Sequence, residues 1–312
     1  MANQSLDIII PTYNRSALLP RCVGSVFDAS PPDAMPWRVH VIDNNSSDPT
    51  RQTCESLIAR YGERVRYHFA EKRGKSAALN HAIRNTAAEL LGFIDDDERV
   101  GRDWLRVIER HLQDADISYV GGAYLGDWMR PTPEWYPPSY CGAIGADAPE
   151  RLPKEPCGFE NHDLFLHGGN AVIRRKVFDR IGLYSEQLGR RGSRLGSCED
   201  HDMFARLKDS GTKGLYVPDL IIHHLIPEER LTKQYFRRWA WDRAISLSLM
   251  DKVGEDHVVR WGKIPRYLVG HTLRGSRWFV RGSASERFGA ELDWIALVGL
   301  LWGLYFRRKE PV

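Results

Sequence analysis

The chain has 312 residues, 42% of them hydrophobic and 27% charged, which suits a soluble globular protein of one large domain, or one domain plus an appendage. Its five cysteines (Cys22, Cys54, Cys141, Cys157, Cys198) are scattered, without a C-x-x-C pair, and this excludes a disulfide framework and a structural zinc site. Residues 1–6 are polar and lack the basic and apolar regions of a signal peptide, so the expected compartment is the cytoplasm. The formal charge of +3 is uneven. Residues 1–227 hold 28 basic and 31 acidic side chains, residues 228–312 hold 16 and 10, and a tail at +6 calls for an anionic partner.

In chain order, residues 6–11 form an apolar run closed by proline, as in a buried parallel strand. A polar loop, Thr12-Tyr13-Asn14-Arg15, follows, and Ser16 is placed to cap a helix through Leu18, Leu19, Val23, Val26 and Phe27. Residues 37–42 alternate like a strand and end in an Asp43-Asn44-Asn45-Ser46-Ser47-Asp48 loop, where Asp48-Pro49 signals the start of a helix over 50–61. Strands are predicted at 65–69 and 90–94, with a helix over 76–88 between them. The alternation predicts an α/β fold with a mostly parallel central sheet flanked by helices.

Such sheets bind ligands beyond the carboxyl ends of their strands. Neither G-x-G-x-x-G after the first strand nor G-x-x-x-x-G-K-[ST] is present, which argues against a dinucleotide oxidoreductase and a P-loop ATPase. The strand ends carry instead Thr12-Tyr13-Asn14, Asp43-Asn44-Asn45 and Asp95-Asp96-Asp97-Glu98. Adjacent carboxylates repel, so the last run reads either as a solvated acidic turn or as a seat for a divalent cation.

Four runs in order, I-I-P-T-Y-N-R at 9–15, V-I-D-N-N-S-S-D at 41–48, G-K-S-A-A-L-N at 74–80 and F-I-D-D-D at 93–97, resemble the N-terminal half of the family 2 inverting glycosyltransferases of bacterial polysaccharide and glycoconjugate type. The resemblance continues through Gly168-Gly169-Asn170, Cys198-Glu199-Asp200-His201-Asp202 and His224-Leu225-Ile226-Pro227 with Arg230, and so spans about residues 6–245. It implies the GT-A nucleotide-diphospho-sugar transferase fold, a nucleotide-activated sugar and Mn2+ or Mg2+. By the same resemblance Pro11, Thr12 and Tyr13 border the base, and Asp43 accepts from a uracil imide N–H. Lys75 lies by the base or diphosphate, Asp95 takes the ribose, Asp96 takes ribose or a supporting contact, and Asp97 ligates the cation.

Inverting transfer needs a carboxylate on the face opposite the leaving group, to take the acceptor proton. The resemblance gives that role to Asp200, with Glu199 as its support or alternative; the same pair also suits the first turn of an amphipathic helix. His223 and His224 follow an apolar strand over 215–222, and His224 is the candidate for a further cation or diphosphate contact. Gly169 and Asn170 fall in the sugar region. Between 126 and 163, Trp128, Trp135, Tyr136, Tyr140 and Phe159 are interleaved with seven prolines. So long an irregular insertion is expected to line the acceptor side, with Trp128 and Trp135 as sugar platforms, or else to pack its aromatics on the body.

Domain boundaries are expected at 1–227 for the catalytic domain, with a donor half to about 125 and an acceptor half beyond, and at 228–312 for a helical basic and aromatic extension. In that extension residues 294–306 carry no charge and Arg307-Arg308-Lys309 follow. Thirteen residues fall short of the ~20 a spanning helix needs. The expectation is peripheral contact with the inner face of the plasma membrane, or packing on the enzyme or on a second copy in a homo-oligomer. No nucleic-acid module is present. The implied function is a metal-dependent inverting transfer from a UDP-linked sugar to a saccharide or lipid-linked saccharide. Two rivals are a silent nucleotide- or sugar-binding scaffold and a sugar-nucleotide pyrophosphorylase, the latter lacking its glycine- and lysine-rich loop here.

Overall fold

The computed structural model describes residues 4–161, 164–190, 195–250, 260–261 and 264–306. The Arg307-Arg308-Lys309 cluster lies outside them.

Strands β1 (Leu6–Thr12), β2 (Trp37–Asp43), β3 (Val65–Phe69) and β4 (Leu90–Phe93) pair in parallel in the order β3-β2-β1-β4. Every residue of β1 is buried. Ile8 and Ile10 enter one core and Ile9 the other, so both faces are covered and the sequence shows an unbroken apolar run rather than alternation. Helices α1 (Leu19–Asp28) and α2 (Thr50–Tyr61) cover the first face through Val23, Val26, Cys54 and Leu57; α3 (Lys75–Asn85) covers the second through Ala78, Leu79, Ala82 and Ile83.

Two helix starts differ from expectation in their chemistry. Ser16 does not cap α1, which begins after Leu18 with Pro20 in its first turn; the Ser16 amide instead donates to Asp48 Oδ2 at 2.9 Å. Asp48 also accepts from the Thr50 hydroxyl at 2.5 Å, so one carboxylate ties the first loop to the start of α2.

After β4 come β5 (Glu98–Val100), α4 (Trp104–Leu112), β6 (Tyr119–Trp128), α5 (Cys141–Ile144), β7 (Cys157–Gly158), β8 (Ala171–Arg174), α6 (Arg175–Ile181), α7 (Glu199–Asp209) and β9 (Gly214–Ile226). The sheet runs on as β4-β8-β6-β9-β5 with β7 beside β9, mixing antiparallel pairs with the parallel β6–β9 pair. Strand β9 extends four residues past the predicted end, so His223 and His224 lie within it, opposite Arg99 and Glu98.

The C-terminal region contains α8 (Lys233–Ser248), the short pair β10 (Arg260–Trp261) and β11 (Ile264–Pro265), α9 (Arg266–Gly275), α10 (Trp278–Arg281) and α11 (Ala284–Tyr305). Helix α11 reaches ten residues ahead of the uncharged segment, begins at a Ser283/Glu286 capping box, and over its 22 residues has the length and apolarity of a membrane-crossing helix. Its packing is that of a core helix on one side. A Cβ on Gly303 would stand 2.2 Å from Ser248 Oγ, and one on Gly299 3.2 Å from Ala244 Cβ, so two small residues one turn apart bring α11 hard against α8. Phe288 and Leu292 join Phe236, Ala240, Ile226 and Ile144 in a third core, with Trp135, Tyr136 and Tyr140 of the 126–163 insertion packed on it.

Candidate active site

Register places the site. Thr12 pairs with Asp43, and the Ile94 amide donates to the Ile9 carbonyl, so the loops after β1, β2 and β4 leave the sheet side by side. Asn14 and Asn45 take left-handed backbone conformations, which asparagine tolerates, and Asn14 Oδ1 accepts from the Ser47 amide at 2.7 Å. Above the loops opens a cavity of about 2380 Å³ whose wall includes Pro11, Thr12, Tyr13, Lys75, Asp95, Asp96, Asp97, Gly169, Glu199, Asp200 and His224.

On the donor side the acids have separate partners. Asp95 receives Lys75 Nζ at 2.8 Å. Asp96 accepts from the Thr12 hydroxyl and Arg15, each at 2.8 Å, yet burial lifts its pKa to about 6 against the pull of Arg15. Asp97 receives Arg230 at 2.7 Å and Arg15 at 2.9 Å, with His224 Nε2 3.5 Å away; burial alone would raise it, but His224 and the two guanidinium groups hold it well below the carboxylate range. Glu98 is the opposite case. Burial first, then the charges of Asp95 and Asp97, push it well above its ordinary value, and it accepts from the Tyr124 hydroxyl and the Asp95 amide.

Oxygens of Asp95, Asp97 and Glu98 lie within 4.8 Å of one another, a spacing a divalent ion fits. Glu98 also holds the loop, through the Asp95 amide and the Tyr124 hydroxyl. His224 lies beside this cluster, its Nε2 3.5 Å from Asp97 Oδ1, and among the described residues its buried Nδ1 has no hydrogen-bond partner.

Across the cavity, α7 opens with Cys198 at φ 78°, a strained conformation for a residue with a Cβ, and this turn presents Glu199 and Asp200. Asp200 accepts from the His201 amide at 3.0 Å and lies 3.2 Å from His201 Nδ1; although burial opposes it, His201, Lys75 and His167 keep the carboxyl well below its usual range. Glu199 is raised by burial, and among the described residues its Oε2 has no partner. Lys75 reaches Glu199 Oε1 at 3.5 Å as well as Asp95, so one ammonium spans both carboxylate centres. Gly169 is demanded by close approach: a Cβ there would lie 2.0 Å from Glu98 Oε1.

Several expected contacts fall elsewhere. Asp43 is buried behind the wall, accepting from Tyr67 OH at 2.8 Å and the Ser46 amide at 2.9 Å, and its neighbour Asn44 lines the cavity. Asn170 is fully buried and structural: its amide donates to the Ala123 and Leu220 carbonyls and accepts from Trp104 Nε1 at 3.0 Å. Trp135 packs edge-on between Phe236 and Phe288 in the third core, and Trp128, exposed at the end of β6, lies against Tyr136; neither lines the cavity. Tyr13 lines the cavity under Arg73, whose guanidinium lies 5.5 Å from its ring centroid.

Sequence reasoning missed Arg15, although it closes the quoted first motif, and gave Glu98 no separate role. Tyr124 and His167 carried no sequence signal; they stack 4.6 Å apart, and His167 Nε2 meets Asp147 Oδ1 at 2.8 Å.

Residues 7–182 match the family model described as glycosyl transferase family 2. The chain belongs to that family. Among its relatives, the succinoglycan biosynthesis protein ExoM of Rhizobium meliloti is 26% identical over 245 residues, 76% of this chain and 74% of that protein. The glucosyl-dolichyl phosphate glucuronosyltransferase of Haloferax volcanii is 26% identical over 165 residues; that match spans 51% of this chain and half of the relative's length. Of solved structures, the mannosyltransferase PcManGT of Pyrobaculum calidifontis, in complex with GDP-Man and Mn2+, aligns with 99% of this chain and 89% of its own at a TM-score of 0.64 and 16% identity, a likeness of fold. The family 2 member therefore has the GT-A architecture its motifs implied.

Proposed function

We propose that this family 2 protein transfers a sugar from a nucleoside-diphosphate sugar, UDP-linked, to a saccharide or lipid-linked saccharide, with inversion at the anomeric carbon. The observation that carries the reading is the single cavity in which Asp200 faces the Asp95–Asp97 edge, with Lys75 between the two centres. Tyr13 and Asn44 seat the base, with Asp43 holding their loop from behind; Asp95 takes the ribose and Asp96 holds Thr12 and Arg15 in place. Mn2+ or Mg2+, held by Asp97, Asp95 and His224, would neutralise charge on the diphosphate. Lys75, Arg15 and Arg230 add fixed positive charge on the same side. Asp200, kept ionised, accepts the proton of the attacking hydroxyl, and buried Glu199 fixes the turn that carries it.

Support for the donor class comes from the family and from the neighbour that binds GDP-Man and Mn2+. A relative acting on a dolichyl phosphate sugar supports a lipid-linked acceptor. We read the protein as cytoplasmic, with residues 1–227 as the catalytic domain and residues 228–312 resting on a membrane surface. The test is a thermal-shift series with UDP, GDP and dTDP, each with Mn2+ or EDTA. Stabilisation by UDP that needs Mn2+ is expected. Stabilisation by GDP alone would move the donor to a guanine nucleotide, and equal stabilisation in EDTA would remove the metal.

A further inference from the structure

The cavity does not end at Asp200. It continues along the packed pair of α8 and α11, where its wall turns mostly apolar: Leu247, with Leu249 and Met250 just past the end of α8, on one side and Ala296, Leu300 and Leu304 on the other, with Ser248 and Asp293 as its polar members. On α11 Ala296, Leu300 and Leu304 recur every four positions, and on α8 Ala240, Arg243, Ala244 and Leu247 recur every one to three, so each helix gives the cavity one face, while Leu249 and Met250 follow the end of α8. From Asp293 to Leu304 that wall runs about 16 Å along α11. An apolar trough of this length has no use for a sugar or a nucleotide.

Where the trough meets the catalytic end stands Arg243, one turn before Leu247 on the same face of α8. Its guanidinium lies 3.5 Å from His201 Nε2 and 5.4 Å from the Trp239 ring centroid, and among the described residues it forms no ion pair. On the outer side of α11, Trp294, Val298, Trp302, Tyr305 and Phe306 form an exposed apolar stripe, and the neighbouring Arg274, Arg277 and Arg281 are exposed as well. Aromatic and apolar side chains beside arginines suit an anionic lipid surface.

We propose that this trough is the seat of the acceptor's lipid chain. The acceptor is a short saccharide on an isoprenoid phosphate, its chain lying in the groove along the packed α8–α11 pair, its phosphate at Arg243 and its saccharide hydroxyl at Asp200. This deepens the reading of the protein as a glycosyltransferase and rests on it. The chain supplies affinity through buried apolar area, the phosphate fixes register, and α11 sits at the surface from which the chain is drawn.

The probe is farnesyl phosphate, titrated by calorimetry into the full-length protein, with farnesol and inorganic phosphate as partial ligands. We expect saturable binding at least tenfold tighter than either part. Leu304→Trp and Leu247→Trp, which fill the trough, each lose at least tenfold, and Arg243→Gln loses about tenfold for farnesyl phosphate and little for farnesol. Stabilisation by nucleoside diphosphate with Mn2+ reports that each variant is folded. Photolabelling of the wild type with a benzophenone analogue should place adducts on α8 and α11, and this needs no variant. Unchanged binding in the filled variants, inorganic phosphate binding as tightly, or adducts elsewhere would each overturn the trough. Absence of farnesyl phosphate binding in a protein that still responds to nucleotide and Mn2+ would do the same. Loss of the nucleotide response in the wild type would instead sink the transferase reading.

Discussion

The strand-end edge of the sheet and the α8–α11 pair border the same cavity and are built on opposite principles. At the edge, buried charges hold one another: Asp97 between Arg15 and Arg230, and Lys75 between Asp95 and Glu199. In the helix pair, contact is made by what is missing, since Gly299 and Gly303 let the backbones close on Ala244 and Ser248. A charged edge is stable only while every partner is present, because a buried carboxylate left alone carries its whole desolvation penalty. The helix pair depends on volume instead. The two regions should therefore respond differently to substitution, acid and salt.

The largest contrast should come from Asp200, the proposed base. Asp200→Asn is expected to lower the transfer rate by about 10²–10⁴-fold in steady-state assays while leaving the nucleotide-induced thermal shift in place. A rate within a few-fold of the wild type would move the base elsewhere. Next comes Arg230→Ala, which removes one of the two guanidinium partners of Asp97 and should cost about 3–5 kcal/mol in urea unfolding at pH 7. The sign with pH follows from Asp97. Its folded pKa lies below the ordinary 3.8, so the partners' contribution is complete above 3.8 and lost as pH falls from there through the lower folded value. The gap between wild type and variant should accordingly close in acid.

Gly303→Val tests the volume-built region. The added atoms meet Ser248 inside 3 Å, so a loss of about 1–3 kcal/mol is expected in unfolding, with the nucleotide response retained. An equal loss of both would show that the edge depends on the helix pair.

The smallest effect lies on the sheet face away from these contacts. His40 bridges Asp7 and His68 at 2.9 Å on each side, and burial, then the charges of His40 and His81, hold His68 down at about 4. A histidine depressed in the fold is protonated more readily in the unfolded chain. Stability is therefore complete above about 6.5 and declines as pH falls from there to about 4, by something of the order of 2 kcal/mol. Urea midpoints between pH 7.5 and 4.5 should show this slope, and His68→Gln should flatten it.

The parallel half of the fold was legible because its code is local. Residues 50–61 and 65–69 form the helix and strand that their patterns predict, and residues 9–15, 41–48, 74–80 and 93–97 meet at one edge because parallel pairing in register leaves no other place for their loops. Pro11 through Tyr13, Lys75 and Asp95 through Asp97 share one cavity for the same reason, whereas Glu199 and Asp200 on α7 and His224 on β9 are brought to it from outside the parallel half. The roles of Trp128, Trp135 and Asn170 were not legible. An aromatic between prolines has the same sequence signature whether it faces a sugar or Phe236, and an asparagine in a motif has the same signature whether it meets a ligand or the Trp104 indole.

Sequence alone thus determined the alternating elements, the acids and bases available at the sheet edge, and the family, since each depends on residues near one another in the chain. Tertiary structure alone decided which way each carboxylate is shifted: of two acids adjacent in the chain, Asp97 is held down by His224, Arg230 and Arg15, and Glu98 is pushed up by burial and by the charges of Asp95 and Asp97. It also decided the place of α11. Apolar enough to cross a membrane and joined to α8 through two glycines, that helix takes its position from a contact between residues more than fifty positions apart, which no local pattern records.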